Sequence, residues 1–269
     1  MNNFSTVAQM LANRYAAVPE RRHLTYKKDG AWETKTYGES ITDVIALAES
    51  LRAKGYSGRH IMLYGENSYE WIVSDLAIIG YVGVCVAADP FWRFDDMKNA
   101  VSFTDVSAVL YTEKNIDVVS ELRAEFPGVD FLSLSRDIPA LIQSGREMLA
   151  GKADIFTIEA RPADLMCKLL FTSGTSGLPK AAMLTQRNLF ALKNGIDYAL
   201  GLTESDSSFL FLPLRHVIAF IHIEIYMTTI GMEIIICSDK NRLFEEIAET
   251  NPTTLIAVPL IYDRLCAAR

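Results

Sequence analysis

Between His60 and Leu134, short apolar runs and amphipathic segments take turns with only a few residues between them. His60–Tyr64, Val84–Ala87, Ala108–Tyr111 and Asp130–Leu134 read as strands, and Ser68–Gly80, Phe94–Phe103 and Ile116–Glu125 as the helices that join them. Strands separated by helical crossovers pair in parallel, and the helices then cover both faces of the sheet. The alternation resumes beyond Arg161 with an apolar strand ending at Phe171 and a helix Arg187–Ala199. Strand Phe209–Leu212, helix Val217–Thr229, strand Glu233–Cys237 and helix Arg242–Glu249 follow, then strand Thr254–Val258 and a last helix from Leu260. The expected fold class is α/β, with layered parallel-sheet subdomains covered by helices. Ahead of this region, Leu24–Tyr37 alternates around Asp29-Gly30 as a hairpin does, and Ile41–Lys54 reads as a helix stopped by Gly55. Ile138–Arg161 is the least regular stretch. It is expected to connect a first subdomain, 1–160, to a second, 161–269.

Composition narrows the classes of function. The chain has 269 residues, half of them apolar, enough to bury a large core. Its 26 basic and 33 acidic residues leave a net charge of −7, which argues against nucleic acid as a partner. Cys85, Cys167, Cys237 and Cys266 lie in apolar stretches without paired or metal-like spacing and read as reduced core thiols. The amino terminus lacks the basic-then-apolar pattern of a signal peptide. Trp71–Ala88 and Ile218–Cys237 are apolar, but Asp75, His222, Glu224 and Glu233 interrupt them, so no transmembrane segment is expected. A cytoplasmic location is expected, with peripheral membrane contact left open.

The run Leu169-Leu170-Phe171-Thr172-Ser173-Gly174-Thr175-Ser176-Gly177-Leu178-Pro179-Lys180 carries the most chemistry. An apolar strand feeds a loop of glycines and small hydroxyl residues that ends on one lysine. Glycines bring backbone N–H groups close to a ligand, and successive N–H groups in a turn make a concavity for anions. The hydroxyls of Thr172, Ser173, Thr175 and Ser176 add donors, and Lys180 adds a compact positive charge. A Gly/Ser/Thr loop by itself is more often a flexible connection. Here apolar runs flank it, LMCKLLF before and AAML after, so it is read as joining two buried strands. The spacing is not that of a Walker loop, and no Gly-x-Gly-x-x-Gly occurs. The expected role is a polyphosphate cradle.

The segment FTSGTSGLPKAAMLTQRNL resembles the signature phosphate loop of the adenylate-forming (AMP-binding) superfamily, which includes acyl-CoA synthetases, aryl-CoA ligases, luciferases and peptide-synthetase adenylation domains. It departs from the usual pattern at Ala181, where the family has glycine. The resemblance implies that Thr172, Ser173, Gly174, Thr175, Ser176, Gly177 and Lys180 hold the leaving phosphates of ATP. It also implies that Thr172 meets Mg²⁺ through the nucleotide. Phe209–Val217 resembles the family's Leu-Pro-Leu-x-His stretch, in which the histidine lies beside the acyl pocket and the carboxylate being activated. His216 falls on that position, so Lys180 and His216 are the implied catalytic residues. Val217 and Phe220 would line the same wall, and Val258 and Pro259 resemble a further pocket-lining turn. Arg215 stands where a small or aromatic residue is more usual, and His222 is read as structural. The string ENSYEWIVSDLAIIGYVG is nearest to the long-chain fatty acid branch.

What the resemblance implies is an AMP-forming acyl-CoA synthetase. ATP and a carboxylic acid, favoured to be a fatty acid, give an acyl-adenylate, and coenzyme A then takes the acyl group as a thioester. Aryl-CoA ligase and peptide-synthetase adenylation domain are the alternatives within the family, and a non-catalytic nucleotide- or phosphate-binding module is the alternative outside it. The motifs fix no oligomeric state. Family members carry an adenine-binding glycine-rich turn, a Tyr-Gly-x-Thr-Glu motif and a small C-terminal domain with a catalytic lysine, none of which occurs before Arg269. The chain is therefore expected to be an N-terminal portion with little turnover alone.

Overall fold

The computed structural model describes residues 4–172, 180–192, 201–259 and 261–263. Helix α1 (Val7–Ala17) leads into a hairpin of β1 (Arg22–Lys28) and β2 (Ala31–Thr36). Asp29 and Gly30 turn it with φ of 50° and 83°, the left-handed pair that a two-residue hairpin of matching twist requires. Thr36 and Glu39 then form a reciprocal capping box that starts α2 (Tyr37–Ala53). Beyond it come β3 (His60–Tyr64), α3 (Tyr69–Ala77) with a π-helical extension Ile78–Val82, and β4 (Val84–Ala87). They are followed by α4 (Phe94–Thr104), β5 (Val106–Tyr111), α5 (Ile116–Glu125), β6 (Asp130–Ser133) and α6 (Asp137–Leu149). The second half holds β7 (Met166–Thr172), β8 (Lys180–Thr185), α7 (186–192) and β9 (Ser207–Leu210). It closes with a π-helix Ala219–Met227 that runs into one α-turn, α8 (Thr228–Ile230), then β10 (Glu233–Ile236) and α9 (Leu243–Thr250).

Two sheets result. The larger has the order β6-β5-β3-β4-β7-β8 and is parallel except for β8; the smaller has the order β2-β1-β10-β9, parallel except for the hairpin. The central strands β3, β4 and β5 are apolar along nearly their whole length because both faces are covered. One apolar cluster joins α1, α2 and α3 to the π-helix Ala219–Met227, and a second fills the opposite face around Met62, Val86 and Val109. Mixed α/β architecture with helix-covered parallel sheets is thus what the alternation of strands and helices implied.

Three local expectations are corrected. The stretch beginning at Ile138 is not an irregular connection: α6 is a regular helix packed along α2. Gly145 allows the close approach, since a Cβ there would lie 1.8 Å from the Ala46 carbonyl oxygen. Arg146 Nε bonds Asp43 Oδ1 at 2.8 Å, and Ser50 Oγ donates to Leu141 O at 2.7 Å. Second, β8 is an exposed antiparallel edge and not a buried strand; Met183 is 72% exposed. Third, Thr254–Val258 contributes a single bridge, Ser208 to Thr254, in place of a strand. Strands β1 and β2 pair into the sheet of β9 and β10, while β7 and β8 join that of β3 to β6.

Candidate functional site

Strand β7 is buried from Cys167 to Leu170 and emerges at Thr172 on the carboxyl edge of the larger sheet. Thr172 pairs with Lys180 in the antiparallel ladder, so the residues that open and close the glycine loop face one another. Thr172 Oγ1 donates to the Lys180 carbonyl at 3.4 Å, and both residues are exposed. With its proton so used, the hydroxyl oxygen keeps its lone pairs as acceptors. The segment 173–179, with Ser173, Gly174, Thr175, Ser176 and Gly177, lies outside the described residues. Phe171, just inside the sheet, meets Trp92 edge to face at 4.9 Å. Among the described residues, no group of three or more His, Cys, Asp or Glu side chains is arranged to hold a metal ion.

His216 is reached from the other sheet. Strand β9 ends at Leu210, and the chain turns through Pro213, whose carbonyl accepts from His216 N at 3.0 Å. The turn is held from outside by Asn67. Its Nδ2 donates to Leu212 O at 2.8 Å and its Oδ1 accepts from Leu214 N at 3.0 Å, a two-point clamp on backbone. The neighbouring Ser68 caps α3 by accepting from Trp71 N. The clamp, made across 145 and 147 positions, leaves no local signal in the sequence. Arg215 is tied to Asp89 at 2.9 Å, linking this turn to the end of β4. Partial burial and the nearby Arg215 lower the His216 pKa, with Asp89 opposing and Lys240 adding to the effect. The neutral imidazole is thereby favoured.

The implied pocket residues divide. Val217 and Ile218 follow His216 at 47% and 53% exposure, and Val258 is 49% exposed with Pro259 also on the surface. Phe220 is fully buried instead, its ring over the ammonium of Lys168. It is part of the core and not of the exposed apolar face. A cleft of about 470 Å³ lies where the carboxyl edges of both sheets meet, lined among others by Glu66, Asn67, Lys114, Phe211, Ser238 and Lys240. Open α/β sheets keep their ligands at such edges. Among the described residues, no helix is long and apolar enough to cross a membrane. Burial raises the thiols of Cys85, Cys167 and Cys237, the last two to about 12, so none is a ready nucleophile. Cys266 lies outside the described residues.

The sequence model of the family described as AMP-binding enzyme matches residues 11–269. Among curated proteins, Long chain acyl-CoA synthetase 4 of Arabidopsis thaliana is 28% identical over 292 residues, covering 98% of this chain and 43% of that protein. Long-chain-fatty-acid--CoA ligase FadD15 of Mycobacterium tuberculosis is 28% identical, covering 88% of this chain and 41% of that protein. Among solved structures, the inhibitor-bound N-terminal domain of FACL13 from Mycobacterium tuberculosis superposes with a TM-score of 0.83 at 20% identity. That match covers 97% of this chain and 64% of the other. The crystal structure of VinN gives 0.82 at 19% identity, with 97% and 62% covered. The chain spans about two fifths of the length of the curated relatives it matches.

Proposed function

Given that the chain belongs to the family of AMP-binding enzymes, we propose that it forms the phosphate- and acid-gripping part of an AMP-forming acyl-CoA synthetase. The observation that carries the reading is the pairing of Thr172 with Lys180, which closes a glycine-and-hydroxyl loop at the carboxyl edge of a parallel sheet. In the reaction, a carboxylate oxygen attacks the α-phosphorus of ATP, the bond to the β-phosphate breaks, and pyrophosphate leaves. The thiol of coenzyme A then displaces AMP from the acyl carbon.

Like charges oppose the first step, so cations and N–H donors must crowd the phosphates. Mg²⁺, when bound with the nucleotide, supplies the largest local positive charge. Lys180 and the loop hold the β- and γ-phosphates as charge passes to the leaving group. His216, neutral at physiological pH, stands beside the carboxylate without repelling or trapping it by charge. Val217, Ile218 and Val258 offer apolar surface for the acid's hydrocarbon part. A fatty acid is the favoured substrate, because two relatives carry long-chain acyl or fatty acid names and the adjoining surface is apolar.

Calorimetric titration of the chain with ATP and Mg²⁺ tests the reading. Wild type is expected to bind ATP without turnover. Lys180→Ala is expected to weaken binding roughly ten- to hundredfold, the loss of one charge-assisted bond of about 1.5–3 kcal/mol. Absence of binding at millimolar ATP, or an unchanged Lys180→Ala, would contradict it.

A further inference from the structure

Three ionisable side chains meet deep in the core, away from the cleft. Asp75 comes from α3, Lys168 from β7 and Glu224 from the π-helix Ala219–Met227, and each is completely buried. Lys168 Nζ bonds Asp75 Oδ2. The same ammonium lies 3.7 Å from the centroid of the Phe220 ring and 5.0 Å from that of Trp71, so aromatic faces close it in. Asp75 Oδ1 and both carboxyl oxygens of Glu224 have no hydrogen-bond partner.

Charge and hydrogen bonding call for one added proton, and the surroundings place it on Glu224. One ammonium and two carboxylates would bury a net negative charge in the core, at a cost of several kcal/mol. A single added proton makes the group neutral. Placed on Glu224, it also gives the orphan Asp75 Oδ1 a donor. Burial, then repulsion from Asp75, push the Glu224 carboxyl well above its ordinary range, with Lys168 opposing. The other titratable groups facing the cluster are Cys85 on β4 and Cys167 on β7, both held as thiols by burial.

The cluster joins elements that carry the candidate site. Lys168 sits four residues before Thr172 on the strand entering the glycine loop. Phe220 N donates to His216 O at 3.0 Å, so the helix holding Phe220 and Glu224 begins on the His216 turn. Helices of π geometry bond i to i+5 and occur frequently at functional sites.

We propose that Lys168, Asp75 and Glu224 form a proton-holding clamp, with Glu224 as the carboxylic acid donating to Asp75, which positions the His216 turn against the strand that enters the glycine loop. The three are positioning residues and touch no substrate. The proposal deepens the synthetase reading, but its test needs no nucleotide, so either can fail without the other.

Two readouts on the whole chain decide it. Infrared difference spectroscopy of wild type against Glu224→Gln should show the carbonyl stretch of a protonated carboxylic acid at neutral pH, lost in the variant. Nuclear magnetic resonance of the histidine rings should show the His216 signal, assigned by its loss in His216→Asn, displaced and its titration midpoint moved in Lys168→Met. Glu224→Gln keeps a donor and should leave that signal in place, which a generally loosened core would not. Absence of the carboxylic acid band would overturn the proposal, as would a His216 signal identical in folded Lys168→Met and wild type. If Lys168→Met does not fold, Glu224→Leu takes its place in the second comparison with the same two outcomes.

Discussion

His23 spends both ring nitrogens inside the fold: Nδ1 meets Ser40 Oγ at 2.6 Å and Nε2 meets Thr228 Oγ1 at 3.2 Å. Burial lowers its pKa from 6.5 to about 3. A group with a depressed folded-state pKa binds more protons when unfolded, so stability rises with pH across that window and is lost as pH falls from 6.5 toward 3. The loss should reach about 4 kcal/mol at its lower end. Urea midpoints measured across that range should fall less steeply for His23→Gln than for wild type; equal slopes would contradict it. Glu224 has the opposite sign. Its raised carboxyl binds its proton in the folded state, so stability declines as pH rises above the ordinary carboxylate range, and Glu224→Gln should flatten that decline. Asn67→Ala should cost about 1–3 kcal/mol by leaving the Leu212 carbonyl and Leu214 amide unpaired, and should shift the His216 resonance as the turn loosens. At this scale Lys180 and Thr172 stand out in the sequence because a glycine-and-hydroxyl run ends on a lysine, and His216 stands out only through the family resemblance. Asn67 and the Lys168 cluster were hidden, because their partners lie more than fifty positions away.

Among elements, α6 is the informative miss. Pro139 and Gly145 make its sequence look broken, yet proline is tolerated in a first turn and the glycine is where α2 passes. Gly145→Val should therefore destabilise the chain by about 3 kcal/mol or more in denaturant unfolding, because the clash is with backbone that has nowhere to go. Gly128→Ala, with open space around it, should change stability by less than about 0.5 kcal/mol. Similar effects for the two would show that the α2–α6 contact is not as close as described. The strands β3 and β4 were legible to the residue because a doubly covered strand is a short apolar run with polar ends. The stretches Ile78–Val82 and Ala219–Met227 were read largely as helix, but their π geometry was not, since their apolar pattern runs all round and sets no period. Thr254–Val258 has the composition of a strand but only one bridge to β9, a difference set by tertiary placement.

For the whole molecule, two sheets turn their carboxyl edges toward one cleft; the smaller joins strands from the early and late parts of the chain, and the larger is built from the strands between them. The pairing of β1 with β10 and of β4 with β7 is long-range and leaves no local trace in the sequence. What this architecture proposes to hold is the tail of a nucleotide, so the phosphates and not the base should dominate binding. Side-by-side titration with ATP, pyrophosphate and AMP measures this most directly. Pyrophosphate should displace ATP, AMP should bind at least tenfold more weakly than ATP, and Lys180→Ala should weaken ATP and pyrophosphate together. AMP binding as tightly as ATP, or ATP left in place by saturating pyrophosphate, would contradict the account.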